Sequence, residues 1–512
     1  MSRYFIAYDL GTGGNKAALY DERGTSLAEH FAAYDTLYPR AGWHEQRPMD
    51  WWNAVVRSTR ELLRAASVNR DEIVAIGISG HSLGVVPIDA GGRLLREATP
   101  IWSDSRPDRQ PAEFFAHVSE SQWYRITGNG FPPPLYSIFK AMWYRDNEPA
   151  MFARTDKLIG TKDFINLQLT GHALTDYSYA SGSGVYDLAA WDYSDSLIAA
   201  SGIDRRLLPN IVPSTRVIGT LTAAAADALD LPRSVQVVAG GVDNSCMALG
   251  ARAFVEGRMY NSLGSSSWIA VSSTKPLLDD HARPYVFAHV VPGMFASAVA
   301  IFSAGSSFRW VRDQLCRDLR EQSRADGADS YELMTAEAAA SPPGAKGLLF
   351  NPSLAGGTSL DDSPAIRGAF LGLDLGHTRA DMIRAAMEGV AMGLRLALDE
   401  LRKMTALGPE VTVVGGGSRS ELWRQIYADV YGVRIVKTSV DQQAAALGAA
   451  ALAAVGTGHW KDFSRIDEIH QVQAVAQPDP GRQATYERLL PIFAQASKDQ
   501  SRLGDLLAKL KN

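Results

Sequence analysis

One local pattern occurs twice in this chain, and it narrows the possible folds more than anything else in it. Residues 4–8 read as a strand that breaks at Asp9-Leu10-Gly11-Thr12-Gly13-Gly14 and resumes at Asn15-Lys16-Ala17-Ala18-Leu19-Tyr20. Residues 257–271 repeat the arrangement around Gly264-Ser265-Ser266. Strand, glycine turn, strand is either an ordinary hairpin or a geometry that lines up backbone N–H groups for a phosphate. A turn of this kind in each half suggests two lobes closing on one phosphate chain from opposite sides. The dinucleotide fingerprint G-x-G-x-x-G is absent and the element after the first turn lacks helical periodicity, so a Rossmann fold is disfavoured.

Length agrees, since 512 residues exceed what one core usually serves and two domains of about 200 to 250 residues are expected. The expected division is 1–245 and 246–512. With 46% hydrophobic and 21% charged residues the chain is globular. A net charge of −5 without a basic block gives nucleic acid no purchase. Cys246 and Cys316 alone suggest neither a disulfide framework nor a thiolate metal site, which fits a reducing cytoplasm. The chain enters a strand-like run at once, without a signal-peptide segment, and no run reaches the ~18 apolar residues of a membrane span. A soluble cytoplasmic protein is expected, with no membrane partner and with a homodimer as one expected assembly.

Residues 235–244, Val-Gln-Val-Val-Ala-Gly-Gly-Val-Asp-Asn, form an apolar strand that runs into two glycines and delivers an acid and an amide at its end. Asp243 is either a catalytic carboxylate or the acidic cap of a helix beginning near Ser245. A buried strand over 72–79 leads into Gly80-His81-Ser82-Leu83-Gly84, a polar turn suited to a hydroxylated ligand or simply a hairpin. Trp102, Asp104 and Arg106 set an aromatic platform beside an acid and a guanidinium; they can hold a sugar, or be a packed Trp with a surface ion pair. Residues 411–414 are an apolar strand ended by Gly415, Gly416 and Gly417, flat enough for a purine to lie on. A helix follows from about Ser420.

Elsewhere the reading is structural. Asp50 can cap the helix that starts at the Trp51-Trp52 pair, whose rings are core anchors. Helices are expected on 368–373 and 382–389, and the Ala444 to Ala454 run suits close packing on a sheet. Beyond Gly305, taken with the phosphate-binding set, residues 300–340 carry no site that their types support. A last amphipathic helix, about 482–509, is expected to pack across the molecule.

In order, these motifs resemble the FGGY family of carbohydrate kinases, and within it the xylulokinases. The likeness runs over essentially the whole chain: Asp9 to Thr12; Gly42-Trp43-His44-Glu45-Gln46-Arg47-Pro48 to Trp52; Trp102 to Arg106; Ser137, Lys140 and Trp143; Lys162-Asp163 with Leu169-Thr170-Gly171; Gly240 to Asn244; Gly368 through Glu388; and Gly415 to Gly417. The resemblance implies a two-lobed α/β fold, the ribonuclease-H-like duplicated fold of actin-like ATPases, with ATP and a sugar in the interlobe cleft. It makes Asp243 the general base. Asp9 would hold Mg2+ through water. Gly11, Thr12, Gly13, Lys16, Gly264, Ser265, Ser266, Gly305 and Gly415 to Gly417 would bind ATP, and His81, Ser82, Trp102, Asp104, Asp243 and Asn244 the sugar.

The implied reaction is transfer of the ATP γ-phosphate to a ketopentose such as xylulose, with another ketose or polyol, or a non-catalytic sensor, as alternatives. Xylulokinases usually carry Gly-Gln-Met-His-Gly where this chain has residues 80–84. Glycerol kinases place an Arg-Glu pair at Ser82-Leu83, and the absence of both charges argues against glycerol. Relatives often have Gly-Glu-Arg where residues 356–360 read Gly-Gly-Thr-Ser-Leu.

Overall fold

In this computed structural model, which describes residues 3–510, two seven-stranded sheets repeat one strand order. In the N-terminal lobe the antiparallel strands Ser26–Ala33, Gly14–Asp21 and Tyr4–Gly11 lead to the parallel strands Ile73–Gly80 and Gln236–Val238, with Val217–Thr220 antiparallel at the edge. In the C-terminal lobe Phe295–Ile301, Ser267–Ser273 and Met259–Leu263 are antiparallel, followed by parallel Glu410–Val414 and Arg434–Thr438 and an antiparallel edge at Val472–Ala476. Tyr285–Ala288 adds one strand outside this order. The repeat is the duplicated ribonuclease-H-like arrangement of the actin-like fold.

The central strands are apolar without alternation because both faces are covered. Phe5, Ile6, Ala7 and Tyr8 are all buried. Helix Pro48–Ala66 covers one face through Trp51, Val55 and Leu62. The other face meets Ala444–Gly456, contributed by the C-terminal half of the chain. Small residues let this helix come very close: a Cβ on Gly77 would lie 2.0 Å from the Ala449 carbonyl oxygen, and one on Gly448 would lie 2.0 Å from that of Cys246. The two halves therefore meet over alanine and glycine, with helix Asp243–Gly250 sandwiched at the junction.

Four expectations change in detail. The first long helix starts at Pro48 with Arg47 at its N-cap, so Asp50 sits inside the first turn and complements the helix dipole instead of capping. Asp243 is itself the first helical residue, ahead of Ser245. Residues 368–373 are not helical: Ala369–Leu371 pairs antiparallel with Leu349–Asn351, and Gly372 turns with a φ of 86°. Short apolar runs do not separate strand from helix by pattern alone. The last helix, Pro480–Lys509, lies along the C-terminal lobe instead of crossing the molecule. Tyr486 donates to Glu388 at 2.6 Å, Asn351 donates to Gln500 at 2.6 Å, and a Cβ on Gly504 would lie 2.5 Å from the Ala365 carbonyl.

Candidate active site

Strand register brings the two acids together. Ser79 pairs with Asp9 on one side and with Gly241 on the other, which puts Asp9 and the start of the Asp243 helix at neighbouring strand ends. Ser79 Oγ donates to Asp9 Oδ1 at 3.0 Å, and Lys16 Nζ stands 3.8 Å from Asp9 Oδ2. Burial raises the Asp9 pKa, with Lys16 and Ser79 opposing. Asp243 is half-buried, and its oxygen Oδ1 accepts from the Asn244 N–H at 2.8 Å. Loss of hydration, then the Asp9 charge, pushes its carboxyl up to about 7. Such a group exchanges a proton near neutral pH.

The first glycine turn is braced from several sides. Tyr34 donates to the Gly11 carbonyl at 2.5 Å, and Gln46 Nε2 donates to the Thr12 carbonyl at 2.7 Å. Gln46 is itself held by the Trp51 indole N–H at 2.9 Å, so the buried tryptophan of the 42–52 run supports the turn from below. Thr12 and Gly13 are exposed at its tip. The hydroxyl of Thr12 accepts from the half-buried Trp102 indole.

The second turn, Gly264 to Ser266, is locked to the start of helix Gly305–Leu315. The N–H groups of Ala304 and Ser306 donate to the Ser265 carbonyl at 3.1 and 2.9 Å, and that of Gly305 donates to the Gly264 carbonyl at 3.0 Å. A Cβ on Gly305 would come within 2.4 Å of the Gly264 carbonyl, so a glycine is needed there. The hairpin behind this turn also reaches Asp243's neighbour: Trp268 donates to the Tyr260 hydroxyl at 2.9 Å, and that hydroxyl donates to the Asn244 carbonyl at 3.2 Å.

Gly264, Ser265, Gly305, Gly416 and Gly417 share one cleft of about 950 Å³. Gly415 bends with φ 91°, and its N–H donates to Asp441 at 2.8 Å. The sequence reading assigned no site beyond Gly305 in 300–340, yet Phe308, Arg309, Tyr331, Glu332 and Thr335 form a wall of this cleft. Phe308 and Tyr331 stack with ring centroids 5.8 Å apart. Apart from Gly305 opening a helix, nothing in that segment's residue types distinguishes a pocket wall from ordinary core.

The loops expected to hold sugar are tied together by a buried cluster. Asp104 takes two N–H groups of the Arg106 guanidinium at 2.9 and 2.7 Å and the His44 N–H at 2.7 Å. Arg106 also reaches Glu45 at 2.8 Å and lies 4.1 and 5.1 Å from the ring centroids of Trp43 and Trp143. The expected sugar contact by Asp104 is therefore corrected: the residue is 0% exposed and its oxygens are committed to the protein. The pair is a buried clamp, not a surface ion pair. Lys140 donates to the carbonyls of Leu83, Ile101 and Leu135 at 3.0, 2.7 and 2.7 Å, stitching the 80–84 and Trp102 loops together. Burial pushes its ammonium down to about 7 against the pull of Asp104.

His81 is also buried, edge-on to Trp51 at 5.6 Å, with Nδ1 3.3 Å from the Thr161 hydroxyl. Burial lowers it to about 4, so its ring is neutral at pH 7, and its Nε2 has no protein partner. Ser82 beside it is buried, and Asn244 is half-buried.

A duplicated actin-like fold with a glycine turn in each lobe is an arrangement suited to phosphoryl transfer. The comparisons make the class specific. The N-terminal domain model of the FGGY family of carbohydrate kinases matches residues 4–250 and its C-terminal domain model residues 259–457. The chain belongs to this family and is a carbohydrate kinase. It is 29% identical to a xylulose kinase of Bacillus subtilis over 96% of each chain, and 28% identical to a gluconokinase of the same organism over 97% of this chain and 96% of the other. The solved xylulose kinase of Rhodospirillum rubrum superposes with a TM-score of 0.87 at 29% identity, covering 96% of this chain and 98% of that one.

Proposed function

We propose that the enzyme transfers the γ-phosphate of ATP to a ketopentose such as xylulose, with Asp243 as the general base. The observation that carries this reading is the position of Asp243: half-buried, beside Asp9 of the first glycine turn, and one residue from the amide tied to the hairpin of the second. A sugar hydroxyl is far too weak an acid to ionise at pH 7, so a carboxylate within hydrogen-bond reach must take its proton as phosphorus is attacked. The rest of the transfer asks for positioning and for neutralised charge. The N–H groups of Gly11 to Gly13 and Gly264 to Ser266 suit that task from the two lobes.

The Gly416 and Gly417 cleft, with Phe308 and Tyr331, suits the adenosine. His81 offers a buried neutral nitrogen without a protein partner, which a sugar hydroxyl would satisfy. Among the described residues no group of three or more acids, histidines or cysteines could cage a metal. Mg2+ usually retains several waters and leans on one or two carboxylates, and Asp9, whose Oδ1 takes Ser79 and whose Oδ2 has the Lys16 ammonium 3.8 Å away, fits that role. When bound, the ion would neutralise phosphate charge.

Both thiols, Cys246 and Cys316, are buried and unpaired, in keeping with a cytoplasmic enzyme. No helix among the described residues is long and apolar enough to cross a membrane. ADP release should be followed with xylulose, ribulose, tetritols, gluconate and glycerol, in the wild type and in Asp243→Ala. A ketopentose should give the highest kcat/KM, and the variant should lose on the order of 10²-fold or more. Near-normal turnover by Asp243→Ala would remove the base assignment, and a preference for gluconate would replace the substrate.

A further inference from the structure

Lys162, Asp163 and Asp176 are fully buried, and the chemistry above uses none of them. Lys162 Nζ lies 2.5 Å from Asp163 Oδ1 and 3.0 Å from Asp176 Oδ1. Three charges so far from water add little net stability, because desolvation consumes most of their attraction. What they do supply is direction: Asp163 takes the Gly160 N–H at 3.0 Å, and several other hydrogen bonds from the cluster meet one stretch of backbone.

That stretch is Ala239 to Val242, immediately before Asp243. Its carbonyl at Ala239 accepts from Asn166 Nδ2 at 2.8 Å and from Lys162 Nζ at 3.2 Å. Its N–H at Val242 donates to Ser178 Oγ at 2.9 Å. Ser178 Oγ in turn donates to Asp176 Oδ2 at 2.5 Å, and the same oxygen takes the Ser214 hydroxyl at 2.7 Å. The serine is thus polarised by a buried carboxylate that is oriented from three sides.

Between these two pins lie Gly240, with φ 73°, and Gly241. A Cβ on Gly240 would sit 2.1 Å from the Ile78 carbonyl, and one on Gly241 would sit 2.3 Å from Val290. Two consecutive glycines are the softest part of any strand, and here they come just before the residue read as the base. The main chain holds this stretch in part, since the Gly240 N–H donates to the Ser214 carbonyl at 3.0 Å and Gly241 and Val242 pair with Ser79 and Gly80, and the side-chain bonds at Ala239 and Val242 complete the hold on either side of the glycines.

We propose that Ser178, oriented by Asp176, and Asn166, together with Lys162, are positioning residues that set the angle at which Asp243 meets the sugar hydroxyl. This rests on the reading of Asp243 as general base. Because a displacement near 1 Å at reacting groups can cost about 10²-fold in rate, loss of one of two pins should cost about tenfold.

The test is a double-mutant cycle on the full-length protein, with kcat, KM for ATP and thermal midpoint measured for Ser178→Ala in the wild-type and Asp243→Ala backgrounds. In the wild-type background kcat should fall about tenfold with KM for ATP changed less than about twofold. In the Asp243→Ala background the residual rate should fall less than about twofold, since a residue acting through the base has nothing left to position. Equal losses in both backgrounds would make Ser178 a structural residue and overturn the proposal, as would an unchanged kcat in the single variant. Should Asp243→Ala alone turn over normally, the base reading fails, and that result is visible without Ser178. If Ser178→Ala does not fold, Asn166→Ala enters the same cycle with the same expectations.

Discussion

The indole N–H of Trp102 donates to the hydroxyl of Thr12 at 2.9 Å, joining the loop proposed to face the sugar to the turn proposed to face phosphate. Because Thr12 Oγ1 is the acceptor in this bond, its own hydrogen is free to be given elsewhere.

Trp102→Phe retains a ring at this position but deletes the donor. One hydrogen bond of this kind is worth about 1 kcal/mol net, so kcat/KM for sugar should fall about three- to tenfold. The slow release of ADP without sugar should stay the same. A coupled ADP assay with and without sugar reads both, and an equal fall in the two would show that the bond serves only the turn.

The acid limb of the pH profile should belong to Asp243. Its carboxyl stands near 7, so kcat/KM should climb about tenfold per pH unit below that value and level off above it, as the base loses its proton. The Asp9 charge raises this pKa and the Lys16 charge lowers it. Asp9→Asn should accordingly move the limb to lower pH and Lys16→Met to higher pH, whatever each does to the plateau rate. Shifts in the opposite sense would mean that another group titrates.

The parts of the site legible in the sequence are those in which one short segment has to satisfy a local requirement. The turns at 11–14, 264–266 and 415–417 show themselves because glycines clustered at the end of a strand are visible within one short segment, and at Gly415 a φ of 91° favours glycine wherever the rest of the chain goes. Asp104 was not legible in the same way: Glu45, Trp43 and Trp143, which surround its partner Arg106, and the His44 N–H come from other segments, so a residue that suits a sugar by type is spent on Arg106. The Phe308 and Tyr331 wall stayed hidden because pocket aromatics and core aromatics are the same residues. Ala369–Leu371 became a strand because Leu349–Asn351 was there to pair with it, which no local pattern reveals.

Asp104→Asn tests the buried clamp. Breaking one side of a buried, doubly bonded ion pair leaves the Arg106 charge short of a partner and should cost about 3 kcal/mol or more of stability. Equilibrium denaturation reads the loss directly. If Asp104 held sugar from an open pocket wall, the midpoint would hardly move and only KM for sugar would rise.

The three glycines of the loop proposed to hold adenosine should answer differently to the same added methyl group. A Cβ on Gly415 would lie 2.9 Å from the Leu263 carbonyl, on a backbone with φ 91°, so Gly415→Ala should destabilise the fold. A Cβ on Gly417 would meet Leu263 Cβ at 3.0 Å, an intermediate case. At Gly416, which lines the cleft, a Cβ would have nothing within 4 Å and would project into the space proposed for the nucleotide. Gly416→Ala should melt like the wild type, while KM for ATP rises about tenfold, as overpacking a fitted surface by one methyl does. KM for sugar should not change. An unaltered KM for ATP in a well-folded Gly416→Ala would mean that the nucleotide lies elsewhere in the cleft.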